Sequence, residues 1–227
     1  MLDPGNRLKM AAAMVRPGSR VADIGTDHAY LPVYLILKGT IPSALACDLR
    51  QGPLCNAQKT VAAYGLEAQI TLRLSDGFDR IDPSEAEDFV LCGMGGTLMA
   101  QLLDRTPWLK DPAKRLILQP QSHEEDVRGW LLENGFSILR EDACTDDGKL
   151  YACLTAAYTG TNSPVSPAAP YIGALPQCGK PEALMKLKKT RDRLRLKAAH
   201  CPPAQAQTYA DILKELEATI DALSDRS

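Results

Sequence analysis

The 227-residue chain predicts an α/β fold: a mostly parallel sheet covered by helices, closed by an antiparallel hairpin and followed by a helical pair. Three observations predict it. Short β-branched or apolar runs alternate with longer amphipathic ones through the first part of the chain. The rhythm then changes to two consecutive strand-like runs, and beyond residue 182 apolar positions recur at spacings of three and four.

The leading segment, Asp3 to Val15, predicts a helix, with Asp at the N-cap and Pro at the first helical position. Five strands follow: SRVADI (19–24), SALACD (43–48), QITLRL (69–74), EDFVLC (87–92) and KRLILQ (114–119). Between them lie helical stretches at His28–Lys38, Pro53–Tyr64, Gly96–Asp104 and Glu124–Asn134. FSILREDACTDDGKLYACLTAAY reads as two strands joined at Asp146, Asp147 and Gly148, since DDG supplies the conformations of a tight connection. The sheet therefore has seven strands.

Residues 160–181 are rich in Pro, Gly and Ser and predict an irregular connector outside the core. Residues 1–159 form the domain before it. After it come two helices, Glu182–Ala199 and Ala204–Leu223, parted by Pro202 and Pro203, which cannot sit inside one continuous helix. Tyr209, Ile212, Leu213, Leu216, Ile220 and Leu223 form a seam, and Leu184, Leu187 and Leu194 give the first helix a matching face. The short link makes the pair antiparallel, and a pair this small must lean on the main domain or on a partner.

Composition excludes several classes. With 45% hydrophobic and 24% charged residues the chain reads as globular. No apolar run approaches the roughly 20 residues of a membrane helix, and the charged opening lacks a signal-peptide core, so a cytoplasmic protein is expected. Seven cysteines without a CxxC pair, and three scattered histidines, argue against disulfides and against a metal site. Each cysteine reads as a small core residue. Residues 1–158 hold 16 Lys and Arg against 21 Asp and Glu, whereas residues 159–227 hold 10 against 7. The surplus is concentrated in Lys186–Lys197, with seven basic residues and one acid; such a block is a phosphate-binding surface or a solvated helix face.

The chemistry-bearing residues fall at strand ends. VADIGTDHAYLP (21–32) is a strand ending in an acid and a glycine before a helix, which lets backbone pass close to a ligand at the carboxyl edge of the sheet. Only Gly25 stands where a dinucleotide fold would place three glycines, so an NAD site is disfavoured. Asp48 ends the second strand, where a carboxylate can accept two ribose hydroxyls. Asp76 and Gly77 close the third, suited to an adenine ring. Any one of these acids can equally be a helix cap; the triplet favours a nucleoside. The fourth strand exits through Cys92, Gly93, Met94, Gly95 and Gly96, backbone kept bare for a ligand or simply a glycine turn. The fifth exits through Gln119, Pro120 and Gln121 at the rim, where an amide can read a base edge.

DIGTDHAYLP, the GMGG turn, LILQP and the DGKLYACL hairpin together resemble the bacterial TrmK family, the tRNA adenine-22 N1-methyltransferases. The likeness runs through residues 1–158 and continues, in architecture more than in sequence, into the helix pair. It implies a class I S-adenosylmethionine-dependent methyltransferase: a Rossmann-like, mostly parallel seven-stranded sheet with an antiparallel last strand, plus a coiled-coil-like C-terminal hairpin that binds tRNA. S-adenosylmethionine would lie over Asp23, Ile24, Gly25 and Asp27, with Asp48 and Leu49 at the ribose, Asp76 and Gly77 at the adenine, and Gly93, Met94 and Gly95 alongside. The chain departs from the family at Gln121, where Asn is expected, and at Asp48, where Glu is common.

Adenine N1 has a free lone pair at neutral pH, so direct displacement needs alignment and desolvation rather than a general base. Asp27 is the choice for stabilising the cationic product base, with His28 and Tyr30 positioning or stacking on it and Gln119 and Pro120 at its edge. Gly96 and Gln121 are expected at the substrate. Extruding the base costs roughly a few kcal/mol, offset by phosphate contacts from Lys188, Lys189, Arg191 and Arg195. His123 is expected to begin a helix capped by Ser122, His200 to sit in an exposed link, and Trp108 and Trp130 to be packing residues. A monomer is favoured, with dimerisation through the helix pair as the alternative. The rival functions are a small-molecule methyltransferase of the same fold and an RNA-binding module without catalysis.

Overall fold

The computed structural model describes residues 2–161 and 165–225. Its sheet contains β1 (Val21–Ile24), β2 (Ala44–Asp48), β3 (Ile70–Leu74), β4 (Asp88–Gly95), β5 (Arg115–Ser122), β6 (Phe136–Asp146) and β7 (Lys149–Tyr158) in the order β3-β2-β1-β4-β5-β7-β6. The first five strands are parallel, and β7 runs antiparallel to both β5 and β6. Asp147 and Gly148 both have positive φ, at 45° and 71°, the backbone of a two-residue hairpin turn.

β1 and β2 are buried throughout because helices cover both faces of the sheet, which is why they are apolar apart from Asp23 and Asp48. Alternate residues serve opposite cores. Val21, Ala44, Ala46, Val90 and Ile117 pack under α1 (Gly5–Ala12), α2 (Tyr30–Leu37) and α3 (Gln51–Ala63). Ala22, Leu45, Phe89, Leu91 and Leu118 pack under α4 (Gly96–Asp104) and α5 (Glu124–Glu133). Trp108 lies edge-on to Phe78 and Phe89, and Trp130 packs on Phe136, as packing residues. All seven cysteines are free. Cys47 is buried, and burial pushes its thiol up to about 12.

The helical pair is present as α7 (Pro181–Ala199) and α8 (Pro203–Ser224). Leu187, Leu194, Ile212, Leu216 and Ile220 form its buried seam, and Ala143 and Ala152 of the β6–β7 hairpin close the same cluster, so the pair leans on the sheet as its size requires. The connector differs from the expectation. Its described part contains α6 (Ala169–Ile172) and a short 3-10 turn, and Ala168, Ile172 and Leu175 are buried in that cluster. Proline there starts short helices instead of excluding the segment from the core. Arg128 and Glu141, both almost fully buried, pair at 2.5 Å beneath it, with Arg128 also donating to the Pro170 carbonyl and Glu141 accepting from the Ala174 N–H.

Several boundaries also differ. The first helix begins at Gly5, although Asp3 still accepts a 3.0 Å hydrogen bond from the Gly5 N–H. α2 begins at Tyr30 because Asp27 and Ala29 take φ of 51° and 55°, outside helical geometry. β4 continues through Gly95, with register irregularities around Met94. Ser122 is the last residue of β5, and the N-cap position of α5 falls to His123 at φ 53°, with no side-chain cap.

Candidate active site

The chain moves outward from β1 to β2 and β3 and then returns to place β4 on the other side of β1. At such a switch point the loops leaving the two central strands diverge and leave a crevice. A cleft of about 440 Å³ lies there, lined from the β1 exit by Asp23, Gly25, Thr26, Asp27, His28 and Tyr30, and from the β4 and β5 exits by Cys92, Gly93, Met94 and Gln121. Arg7 and Leu8 of α1, Leu31 and Arg50 complete the wall.

Asp23 sits at the floor, 4% exposed. Its Oδ2 accepts a 2.6 Å hydrogen bond from the Thr26 hydroxyl. Burial pushes its carboxyl up to about 6; the Thr26 hydrogen bond opposes this, Asp48 adds to it, and Arg7 opposes it. A buried acid of this kind favours a ligand that brings hydrogen-bond donors or positive charge. Gly25 takes φ 79°, and a Cβ there would lie 2.3 Å from the Met94 methyl, so the bare backbone is required both for the turn and for the wall.

Asp27 is exposed at the lip, its Oδ2 3.6 Å from Nε2 of His28. His28 and Tyr30 stack at 5.1 Å and 9°, and Tyr30 remains 39% exposed. They form an aromatic platform beside a carboxylate. The residues at φ 51° and 55° that delay α2 are the turn that aims this platform, a strained backbone of the kind found at binding sites.

The other strand-end acids lie outside the cleft wall. Asp48 is buried and its Oδ1 accepts from the Arg50 N–H at 2.9 Å; Leu49 beside it is 60% exposed. Asp76 is exposed and paired with Arg105 at 2.6 Å, with Gly77 packed under Leu102. Ile24 points into the core. Asp48 ends β2, the neighbour of β1, and Asp76 follows β3, one strand further out.

Four further expected residues lie away from the cleft wall. Gln119 is fully buried instead of standing at the rim: its Oε1 accepts from Arg7 Nη1 at 2.8 Å and its Nε2 donates to the Pro120 carbonyl at 3.0 Å. Pro120 is buried with it, because β5 continues past both. Gly95 faces the Ser122 hydroxyl, and Gly96 is buried against α5, where a Cβ would lie 2.0 Å from the His123 carbonyl oxygen. Packing between the two helix starts therefore requires its bareness.

The basic run of α7 is mostly paired. Lys186 meets Glu124, Arg193 and Lys197 meet Glu125, Arg191 meets Asp192 and Arg195 meets Glu217. Among the described residues only Lys188 and Lys189 of that run have no partner. His200 is exposed, its Nδ1 3.0 Å from the Leu196 carbonyl. No group of three metal-ligating side chains occurs among the described residues, and no described helix is long and apolar enough to cross a membrane.

Sequence reading missed Arg7, which approaches the cleft from a helix 112 residues away from its Gln119 partner. Its guanidinium also lies 5.8 Å over the Tyr151 ring. The signal available was Gln119 itself, a polar residue inside an apolar strand that has to find a partner.

The methyltransferase domain family matches residues 5–154. The structure of Bacillus subtilis TrmK is 29% identical with a TM-score of 0.79, covering 99% of each chain. That of Streptococcus pneumoniae Sp1610 in complex with S-adenosyl-L-methionine is 30% identical with a TM-score of 0.82, covering 97% of this chain and all of that one. The chain belongs to the TrmK family. By sequence it is 37% identical over 150 residues to the tRNA (adenine(22)-N(1))-methyltransferase of Bacillus subtilis, an alignment that takes in 66% of this chain and 63% of that relative. In this TrmK-family chain the methyltransferase-domain match, residues 5–154, contains every residue that lines the cleft.

Proposed function

We propose that the protein transfers the methyl group of S-adenosylmethionine to N1 of adenine 22 in tRNA. The observation that carries the reading is the cleft between β1 and β4, where a buried carboxylate and a bare glycine floor adjoin an exposed stacking platform with its own carboxylate. The donor set suits S-adenosylmethionine. Asp23 would face the positive end of the ligand, Gly25 and Gly93 would leave room for its chain, and Asp48 and Asp76 would hold ribose and adenine. The names of the relatives, one of them solved with this cofactor, support the same reading.

When bound, the cofactor would supply a methyl group on a sulfonium sulfur; N1 would take it with its own lone pair as the sulfur–methyl bond breaks and leaves a neutral thioether. This chain has no proton to abstract, so its task is to bind, align and exclude water. Tyr30 and His28 offer a face on which the extruded base can stack. Asp27 offsets the positive charge that the base acquires on methylation. Gln119 acts behind the wall by holding Arg7, and Gln121 is the amide that reaches the cleft. Residues 1–159 make the catalytic part and 182–227 the tRNA-binding part, joined by 160–181, in a monomeric cytoplasmic protein. Lys188 and Lys189 are its phosphate contacts; Arg191 and Arg195 contribute once released from Asp192 and Glu217.

The test is transfer of a labelled methyl group from S-adenosylmethionine to unmodified bulk bacterial tRNA, with nucleoside digestion of the product. Labelled 1-methyladenosine is expected. An unlabelled RNA pool, with cofactor binding confirmed by calorimetry, contradicts the proposal and favours a small-molecule substrate or a binding module.

A further inference from the structure

Three cations of α7, Lys186, Arg193 and Lys197, reach the start of α5. Lys186 Nζ lies 2.5 Å from Glu124, with the two side chains 11% and 9% exposed. Arg193 grips Glu125 at two points, Nη1 to Oε1 at 2.9 Å and Nη2 to Oε2 at 2.8 Å, and Lys197 stands 3.9 Å from the same carboxylate. Lys186 and Arg193 are two turns apart, about 10 Å along the helix. Anchors at that spacing on consecutive residues of α5 fix both the slide and the rotation of α7.

Immediately before those carboxylates the chain forms the cleft's lip. Gln121 lines the cleft, and His123 is held at φ 53° with its carbonyl pressed on Gly96. Five residues therefore join the cleft wall to the α7 anchors with no slack between them. Holding α7 down does not by itself require these ions, since Leu187 and Leu194 already give it a buried apolar seat. Desolvation makes buried ion pairs poor sources of net stability compared with apolar contacts. Their distinctive contribution is direction, which a two-point carboxylate–guanidinium contact supplies.

We propose that Glu124 and Glu125 are positioning residues that register α7 against the lip, so that RNA held by the outward cations of α7 presents its base at the depth the cleft requires. The inference rests on the tRNA reading above. It separates the basic run into struts, Lys186, Arg193 and Lys197, and grips, Lys188 and Lys189.

The experiment uses the full chain carrying Glu124→Gln and Glu125→Gln together, with kcat and KM measured for tRNA, cofactor affinity by calorimetry and melting temperature in parallel. The expected result is a kcat lowered by at least about tenfold, with KM for tRNA and cofactor affinity unchanged, since grips and cleft floor are untouched. Glu125→Arg alone should lose kcat, and adding Arg193→Glu should restore most of it. If the double variant does not fold, Lys186→Met and Arg193→Lys are measured singly and should show the same split. Wild-type kcat in these variants, whatever the melting temperature does, overturns the inference and leaves the pairs as packing. Absence of tRNA methylation by the unmodified protein overturns the functional reading instead.

Discussion

Nη1 of Arg7 donates a 2.8 Å hydrogen bond to Oε1 of Gln119 and so ties the first helix to the fifth strand behind the cleft. Gln119 has no exposed surface, and the Tyr151 ring supports the same guanidinium. The side chain that closes the cleft is thus aimed by a residue that does not line it. Gln119→Leu keeps the volume and removes the acceptor. The loss should be about 1–3 kcal/mol of fold stability, with S-adenosylmethionine affinity reduced. Calorimetry and urea unfolding measure both; an unchanged affinity would show that Arg7 holds its place without Gln119.

The buried carboxyl of Asp23 makes stability depend on pH. Its folded pKa of about 6 lies above the ordinary value of 3.8, so the fold favours the protonated form. The corresponding contribution is fully present below about pH 4 and is lost as pH rises through about 6, an effect of roughly 3 kcal/mol. Asp23→Asn, which cannot ionise, should gain on the natural protein as pH rises from 4 to 7 in thermal melts, while binding the cofactor poorly. A melting-temperature gap that stays flat across that range contradicts the assigned burial.

Gly96 and Gly25 should respond differently to a methyl group. At Gly96 the added carbon meets a backbone oxygen at 2.0 Å, whereas at Gly25 it meets the flexible end of Met94 at 2.3 Å. Gly96→Ala therefore has to separate α4 from the start of α5 and should cost about 3 kcal/mol or more. Gly25→Ala should cost less in stability, near 1–2 kcal/mol for the positive φ, and more in cofactor affinity. Urea unfolding paired with calorimetry separates the two patterns.

What the sequence made legible follows from range. The five parallel strands and the β6–β7 hairpin were readable because each is a local run with local punctuation, and DDG names its own turn. The β1 exit was readable for the same reason: Asp23, Gly25 and Asp27 act within one turn of chain. Arg7 was not, because its meaning depends on Gln119, far along the chain. The pairing within the basic run is hidden for a related reason. Seven cations in twelve residues look free in one dimension, yet Glu124 and Glu125 pair with three of them across the fold. The connector looked irregular because its prolines mark starts of short helices as well as breaks.

Lys188 and Lys189 are the free cations of that run, so charge reversal of both should raise KM for tRNA and leave cofactor affinity alone. Each phosphate contact contributes about one to the slope of log affinity against log salt, and the slope should fall by about 2 in the double variant. Filter binding across a salt series measures this. An unchanged slope would place the phosphate grip elsewhere.

The proposed role of the cleft between β1 and β4 is methylation of one adenine of tRNA. The most direct measurement is labelled methyl transfer to two transcripts of one tRNA, with adenine or guanine at position 22, by the natural protein and by Asp27→Ala. 1-Methyladenosine is expected in the first transcript and none in the second, with the rate lowered about 10²-fold by Asp27→Ala. Equal labelling of both transcripts, or none of either while the cofactor binds, would contradict it.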